Sequence, residues 1–85
     1  MAEEKIGVIA SYFSKIGVAA INLTDGPLSV GDKILIKGNT TDFQQIVSSM
    51  QIEHNAVQIA EKGKSVGIKV NEKVRPNDIV YRIVD

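Results

Sequence analysis

Short runs rich in Val and Ile, separated by turn residues at even intervals, constrain this 85-residue chain more than any other feature. Runs of this kind are typical of β-strands, and a period of two between apolar and polar side chains supports that interpretation. Seven Gly and two Pro supply residues for the turns. The sequence therefore predicts an all-β fold, and even spacing favours a small barrel. The predicted strands are 5–13, 16–23, 33–37, 65–70 and 79–84.

Length and composition limit what such a fold can contain. Eighty-five residues suffice for one domain, predicted over residues 1–85 with its core at about 5–84, and no linker composition divides it. The absence of Cys excludes disulfides, thiolate metal sites and a cysteine nucleophile. His54 is the only histidine, and a metal or catalytic site needs more convergent ligands. We therefore predict no enzyme activity, no metal and no cofactor.

Charge is balanced overall but uneven along the chain. Ten Lys and Arg offset ten Asp and Glu, which argues against a polybasic binder of nucleic acids or membranes. Residues 1–57 carry four basic and six acidic side chains, a net charge of −2. Residues 58–84 carry six basic and three acidic side chains, a net charge of +3, and Asp85 brings the total to zero. A modest phosphate-contacting edge is one interpretation, and solvated turn residues balanced by neighbouring glutamates are the alternative. The candidates are Lys37, Lys62, Lys64 and Arg75.

The apolar stretch at 6–24 is long enough to raise the question of a membrane span. Lys15 lies at its centre, where insertion of a charged side chain costs about 2.5–3.5 kcal/mol. Glu3 and Glu4 occupy positions where a signal peptide needs basic residues. We therefore predict two adjacent strands of a soluble, cytoplasmic protein with no membrane contact.

Residues 43–53 give conflicting signals. Apolar residues at positions 43, 46, 47 and 50 follow the spacing of an amphipathic helix, and the segment 41–44 resembles a helix capping box. Strand alternation over 43–52 is poorer. Local pattern alone therefore slightly favours a helix in this part of the chain.

Three aromatic side chains lie beside predicted turns. Tyr12, Phe13 and Phe43 could form an exposed docking patch or a surface on which bases stack. The alternative is that aromatic residues close one end of the barrel. That alternative suits Phe13 and Phe43 better, whereas Tyr12 is the better candidate for exposure.

Four segments together resemble the second, β-barrel domain of translational GTPases such as elongation factor Tu and initiation factor Two. They read LSVGDKI at 28–34, VSSMQ at 47–51, AEKGKSVGI at 60–68 and PNDIV at 76–80. Gly31 and Gly63 are expected in tight turns, and Gly67 suggests a bulge or corner within a strand. Asn77 departs from the glycine that this pattern usually has, but Asn tolerates the left-handed conformation.

Two further segments are similar to small elongation-factor-like proteins and to the C-terminal barrel of the collagenase-like peptidase family. They read YFSKIGVA at 12–19 and KGNTTDFQQ at 37–45, with SMQI at 49–52 extending the second. The resemblance implies a closed, six-stranded β-barrel of the translation-protein type. It therefore assigns 43–53 to a strand, because tertiary pairing can override a local helical preference.

The resemblance also sets the functional expectations. The chain has no phosphate-binding loop of the form GxxxxGK followed by Ser or Thr, so nucleotide binding is not expected. The first expectation is a non-catalytic, translation-factor-like module that contacts tRNA or ribosomal RNA through the basic candidates. The alternative is an accessory subunit that docks a separately encoded collagenase-like peptidase or RNA-modification enzyme through Tyr12, Phe13 and the 38–45 loop.

Overall fold

Ten β-strands account for all helical or strand structure in residues 2–84, the part of the chain that this computed structural model describes. The all-β prediction is therefore confirmed, and none of the described residues forms a helix that could cross a membrane. The strands are β1 (Ala2–Phe13), β2 (Val18–Asn22), β3 (Leu28–Ser29), β4 (Lys33–Lys37), β5 (Asp42–Ile46), β6 (Met50–Ile52), β7 (Asn55–Val57), β8 (Ile59–Ala60), β9 (Ser65–Lys69) and β10 (Ile79–Val84).

Eight of the strands form one antiparallel sheet in the order β5-β4-β10-β1-β2-β9-β6-β7, and β3 pairs with β8 in a separate two-stranded sheet. The predicted closed, six-stranded barrel is not confirmed, because the end strands β5 and β7 share no hydrogen-bonded ladder within residues 2–84. The long strand β1 lies near the middle of the sheet and pairs with both β10 and β2.

The segment with conflicting signals forms strands, as the resemblance implied. Phe43, Gln45 and Val47 are buried while the residues between them are exposed, which is the period of two. Ile46, which helical spacing placed on the buried face, is 61% exposed. The ladder between β4 and β5 fixes this register, so long-range pairing outweighs the local helical pattern.

The core is aliphatic and gathers side chains from almost every strand. All strands except β7 contribute at least one buried apolar residue to a single cluster. Neighbouring positions along the strands point outwards, as strand geometry requires. Because one face of an eight-stranded sheet supplies most of one cluster, the sheet must curl around that face. Phe43 belongs to this cluster.

Two register shifts interrupt the ladders of β1, which lies near the middle of the sheet. One lies between Lys5 and Gly7 opposite β10, and the other lies between Ile9 and Ser11 opposite β2. A Cβ on Gly7 would clash with the backbone carbonyl of Asn22, so the close approach of β1 and β2 requires glycine there. The bulge predicted at position 67 is wrong, because the ladder of β9 with β2 runs through it without a shift; the ladder of β9 with β6 ends at Gly67.

The turns at 29–32 and 75–78 share one geometry. In each, the fourth residue is an Asp whose carboxylate accepts the backbone N–H of the first residue at 2.9 Å. The third residue has a left-handed backbone, with φ 97° at Gly31 and φ 75° at Asn77. Both turns lead directly into long core strands, β4 and β10. The prediction that Asn77 adopts the left-handed conformation is confirmed, as is the tight turn at Gly31.

A side-chain amide links the edge strand β5 to the far part of the sheet. Gln45 is 7% exposed, and its Nε2 donates to the carbonyl of Lys69 at 2.8 Å. Its Oε1 accepts the backbone N–H of Asn71, also at 2.8 Å. In the sheet order β5 is first and β9 is sixth, so this amide spans the curl where no backbone ladder exists within residues 2–84.

Replacing Gln45 by Leu keeps most of the side-chain volume but leaves the Lys69 carbonyl and the Asn71 N–H without their partner. We expect the free energy of unfolding to fall by about 1–3 kcal/mol, measured by urea denaturation. The matched control is Gln44→Leu on the exposed face of the same strand, expected within about 0.5 kcal/mol of the parent. Equal losses in both variants would contradict a structural role for the Gln45 amide.

Candidate docking surface

The three aromatic candidates do not form one patch. Tyr12 lies opposite the buried Ala19, so it points inwards and packs against the core as a partly buried residue. Phe13 is the next residue, points the opposite way and is 51% exposed. Phe43 is buried in the core and is not available at the surface. The expected placement of Tyr12 and Phe13 is therefore reversed, and the alternation along β1 is the physical reason.

A groove lies beside the β1–β2 hairpin on the outer face of the sheet. Its volume is about 420 Å³, and we call it the hairpin groove. Phe13, Ile16 and Val18 form the hairpin side, and the β6–β7 turn forms the other side with Glu53 and His54. The floor is made by Ala20, Gln51, Ser65, Val66 and Gly67.

Ile16 is the residue of this groove that the sequence reasoning missed. It was placed at the start of a strand, but the hairpin loop extends over 14–17 and leaves Ile16 63% exposed at its tip. The backbone N–H groups of Ile16 and Gly17 both donate to the carbonyl of Phe13, at 3.2 and 2.9 Å. A large apolar residue next to a Ser-Lys turn was the available signal, because turns are exposed and Ile is among the residues most often buried.

The opposite wall of the hairpin groove has an unusual backbone. Glu53 and His54 both have positive φ angles, 51° and 69°, and connect the paired residues Ile52 and Asn55. Two left-handed residues in a two-residue hairpin loop define a type I′ turn, in which Asn-Gly is the favoured sequence. Glu53 and His54 are both exposed, so this turn presents two polar side chains at the rim.

The four basic candidates fall into two separate places. Lys37 and Arg75 line one cleft of about 410 Å³, because the end of β4 pairs with the start of β10 just after the 75–78 turn. Lys62 and Lys64 lie in a different turn, which is bonded to the backbone of Leu23. They do not line the cleft. The predicted phosphate contacts of these residues stay a prediction.

Asp78 forms the buried base of the cleft between Lys37 and Arg75. It is 5% exposed, and its Oδ2 accepts the Arg75 N–H at 2.9 Å. A Cβ on Gly38 would clash with its other carboxylate oxygen, so the carboxylate packs directly on that backbone. The Asp78 carboxylate therefore holds the 75–78 turn against the β4–β5 connection.

The described part of the chain was expected to hold no metal site, and its metal-ligating side chains do not cluster. Residues 2–84 contain no group of three or more His, Cys, Asp and Glu side chains that could hold a metal ion. His54 lies exposed in the β6–β7 turn. The fold and the surface thus define a small all-β domain whose most distinctive feature is an exposed apolar groove.

Comparison with known proteins finds two relatives, each of which is matched over part of its length. The chain is 46% identical over 78 residues to an uncharacterized protease of Methanocaldococcus jannaschii, a match that covers 91% of this chain and 19% of that protein. It is 42% identical over 78 residues to a collagenase of Porphyromonas gingivalis, again covering 91% of this chain and 22% of that protein. No family model matches. The chain is a homologue of a segment that makes up about a fifth of these relatives.

Solved structures identify the fold. The C-terminal domain of a Geobacillus thermoleovorans protein described as a U32 peptidase superposes with a TM-score of 0.88 at 20% identity, covering 95% of this chain and 93% of that one. The selenomethionine variant of the same domain gives a TM-score of 0.85 at 21% identity and covers 91% and 96%. This chain therefore has the fold of that C-terminal domain.

The relatives correct the functional assignment made from the sequence. The proteins matched at 42–46% identity are named as a protease and a collagenase, which contradicts the assignment to translation and gives no support to an identification with an elongation-factor barrel. The similarity to the collagenase-like peptidase family is supported by the same matches. Shared turn phrases such as Val-Gly-Asp specify a local geometry, seen here at 29–32, and geometry of this kind does not identify a partner.

Replacing Asp78 by Ala should lower the free energy of unfolding by about 1–2 kcal/mol, because the Arg75 N–H loses its acceptor beside a packed backbone. Urea denaturation followed by far-ultraviolet circular dichroism measures the change. Asp42→Ala, at an exposed position of β5, is the matched control and should change stability by less than about 0.5 kcal/mol. A stable Asp78→Ala protein would show that the carboxylate does not hold the turn.

Proposed function

We propose that this chain is a non-catalytic module that docks on the catalytic part of a collagenase-like peptidase. The observation that carries the proposal is the match of 91% of the chain to about a fifth of proteins named as protease and collagenase. A domain-sized match within a longer enzyme is the pattern of an accessory domain. The remaining four-fifths of those relatives has room for the catalytic machinery.

The chemistry of the described residues supports a binding role. The sequence has no Cys and one His, and residues 2–84 bring no set of three metal-ligating side chains together. Peptide hydrolysis needs an activated side-chain nucleophile, or a water activated by a metal or by paired carboxylates, each held by convergent groups. The hairpin groove instead offers apolar surface, which is the feature that interdomain and protein contacts use.

The proposal is tested with the 85-residue chain and the catalytic region of the Methanocaldococcus jannaschii relative, which is that protein without its matched 78-residue segment. Isothermal titration calorimetry should show a 1:1 complex with a Kd of about 1–10 μM, because interdomain contacts resemble transient protein interfaces. A cooperative thermal transition of the catalytic region is established first, so that the titrant is known to be folded.

The intact relative serves as the matched control for this titration. Its own copy of the matched segment occupies the docking surface, so we expect binding at least about tenfold weaker than to the catalytic region alone. The proposal is contradicted if the folded catalytic region shows no binding at about 200 μM, which is well above the expected Kd.

A further inference from the structure

We infer that the hairpin groove is the surface that contacts the catalytic part of the peptidase, and that it receives an apolar side chain flanked by a basic residue. The inference rests on the proposed function and names the surface and the chemistry of its partner. It is carried by the shape of the floor, the rigidity of the hairpin and the charge of the rim.

The floor is low because small residues meet in register across the outer face. Ala20 of β2 pairs with Gly67 of β9, and both line the groove, whereas Ser11 of β1, the partner of Ala20 on its other side, does not. The next pair along this face, Phe13 and Val18, carries large side chains. A row of short side chains beside a row of long ones produces a depression that is open to an incoming side chain. The missing side chain at position 67 is thus part of the groove and not of a bulge.

The hairpin that forms one wall is held in place before any partner binds. Two backbone N–H groups in the loop 14–17 donate to the Phe13 carbonyl, and the carbonyl of Gly17 accepts the N–H of Val70 at 2.9 Å. Val70 is buried, so the loop is tied to the core. A wall that is ordered in advance loses little conformational entropy on docking, which favours binding through Phe13 and Ile16.

The apolar content of this wall is high for an exposed position. The exposed large hydrophobic residues of residues 2–84 are Phe13, Ile16, Ile46 and Ile59, and the first two lie together on the hairpin groove. Burying a Phe or Ile side chain favours association through the hydrophobic effect. Ile46 and Ile59 do not line the groove and provide controls of similar exposure.

The rim determines the charge expected of the partner. Glu53 lines the groove, and no Lys or Arg does so. An incoming apolar side chain next to a Lys or Arg would place its charge beside the Glu53 carboxylate, which gives orientation as well as attraction. A second copy of this chain fits less well, because a symmetric groove-to-groove dimer would bring two Glu53 carboxylates to one interface. We therefore take the catalytic part of the peptidase, the partner of the proposed function, as the occupant.

The test compares charge substitutions in and out of the groove in the same calorimetric titration. Phe13→Asp and Ile16→Asp should each weaken binding to the catalytic region by about 10- to 100-fold, the loss expected for one buried apolar anchor. Ile46→Asp and Ile59→Asp, at 61% and 64% exposed positions, should leave the Kd within about threefold of the parent. Glu53→Lys should weaken binding and reduce its dependence on salt.

A larger side chain on the floor of the hairpin groove should weaken binding without lowering stability. A Cβ at position 67 would lie 3.5 Å from Val18 Cγ1, which is an ordinary contact. The φ angle of Gly67 is not positive, so its backbone accepts other residues. Gly67→Val should therefore keep or raise the thermal midpoint, because valine favours the strand, while it weakens binding by tenfold or more. This variant excludes misfolding as the cause of lost affinity.

The results of these titrations distinguish a wrong choice of surface from a wrong docking function. If the parent chain binds and the groove variants bind equally well, the inference is wrong and the docking function stands. If the parent chain does not bind the folded catalytic region, the docking function itself is wrong. If sedimentation equilibrium shows a dimer of this chain that Ile16→Asp dissociates, a second copy occupies the groove and the inference is overturned.

Discussion

The bidentate amide contact of Gln45 is the interaction on which the shape of this domain depends. Strand β5 is an edge of the sheet, and within residues 2–84 it has a backbone ladder only with β4. The two hydrogen bonds from Gln45 to Lys69 and Asn71 join that edge to the end of β9 and hold the sheet in its curl. A curled sheet gathers its inner side chains into one aliphatic cluster and so supports an 85-residue domain without disulfides.

The same curl determines what the outer face can do. β2 and β9 are neighbours in the sheet, so the small residues Ala20 and Gly67 lie side by side and leave a depression on the outside. The hairpin tip and the left-handed Glu53-His54 turn stand on either side of it. The inner and outer faces of the sheet therefore have different roles. Large aliphatic residues on one side stabilise the fold, while short residues on the other leave room for a partner.

Sequence reasoning could predict the strands and several turns because their causes are local. The period of two, the left-handed preference of Gly and Asn, and the β-branched composition act within a few residues. Residues 43–53 were different: their helical spacing was real, but pairing of β5 with β4 and of β6 with β7 and β9 decided the outcome, and the long-range part of that pairing is not visible locally. The placement of Tyr12 and Phe13 was reversed, and Ile16 was missed, because exposure depends on where the hairpin loop begins. The translation assignment rested on four shared segments in order, and a likeness of local sequence and fold does not by itself specify function.

The central claim is that this domain docks on a peptidase catalytic region through the hairpin groove. Nuclear magnetic resonance titration of the isotope-labelled chain with the unlabelled catalytic region tests it most directly, because every backbone amide reports separately. The account predicts that the largest shift changes fall on residues 13–18, 51–54 and 65–67, which surround the groove. Changes concentrated instead on residues 37–39 and 75–79, around the Lys37 and Arg75 cleft, would contradict it.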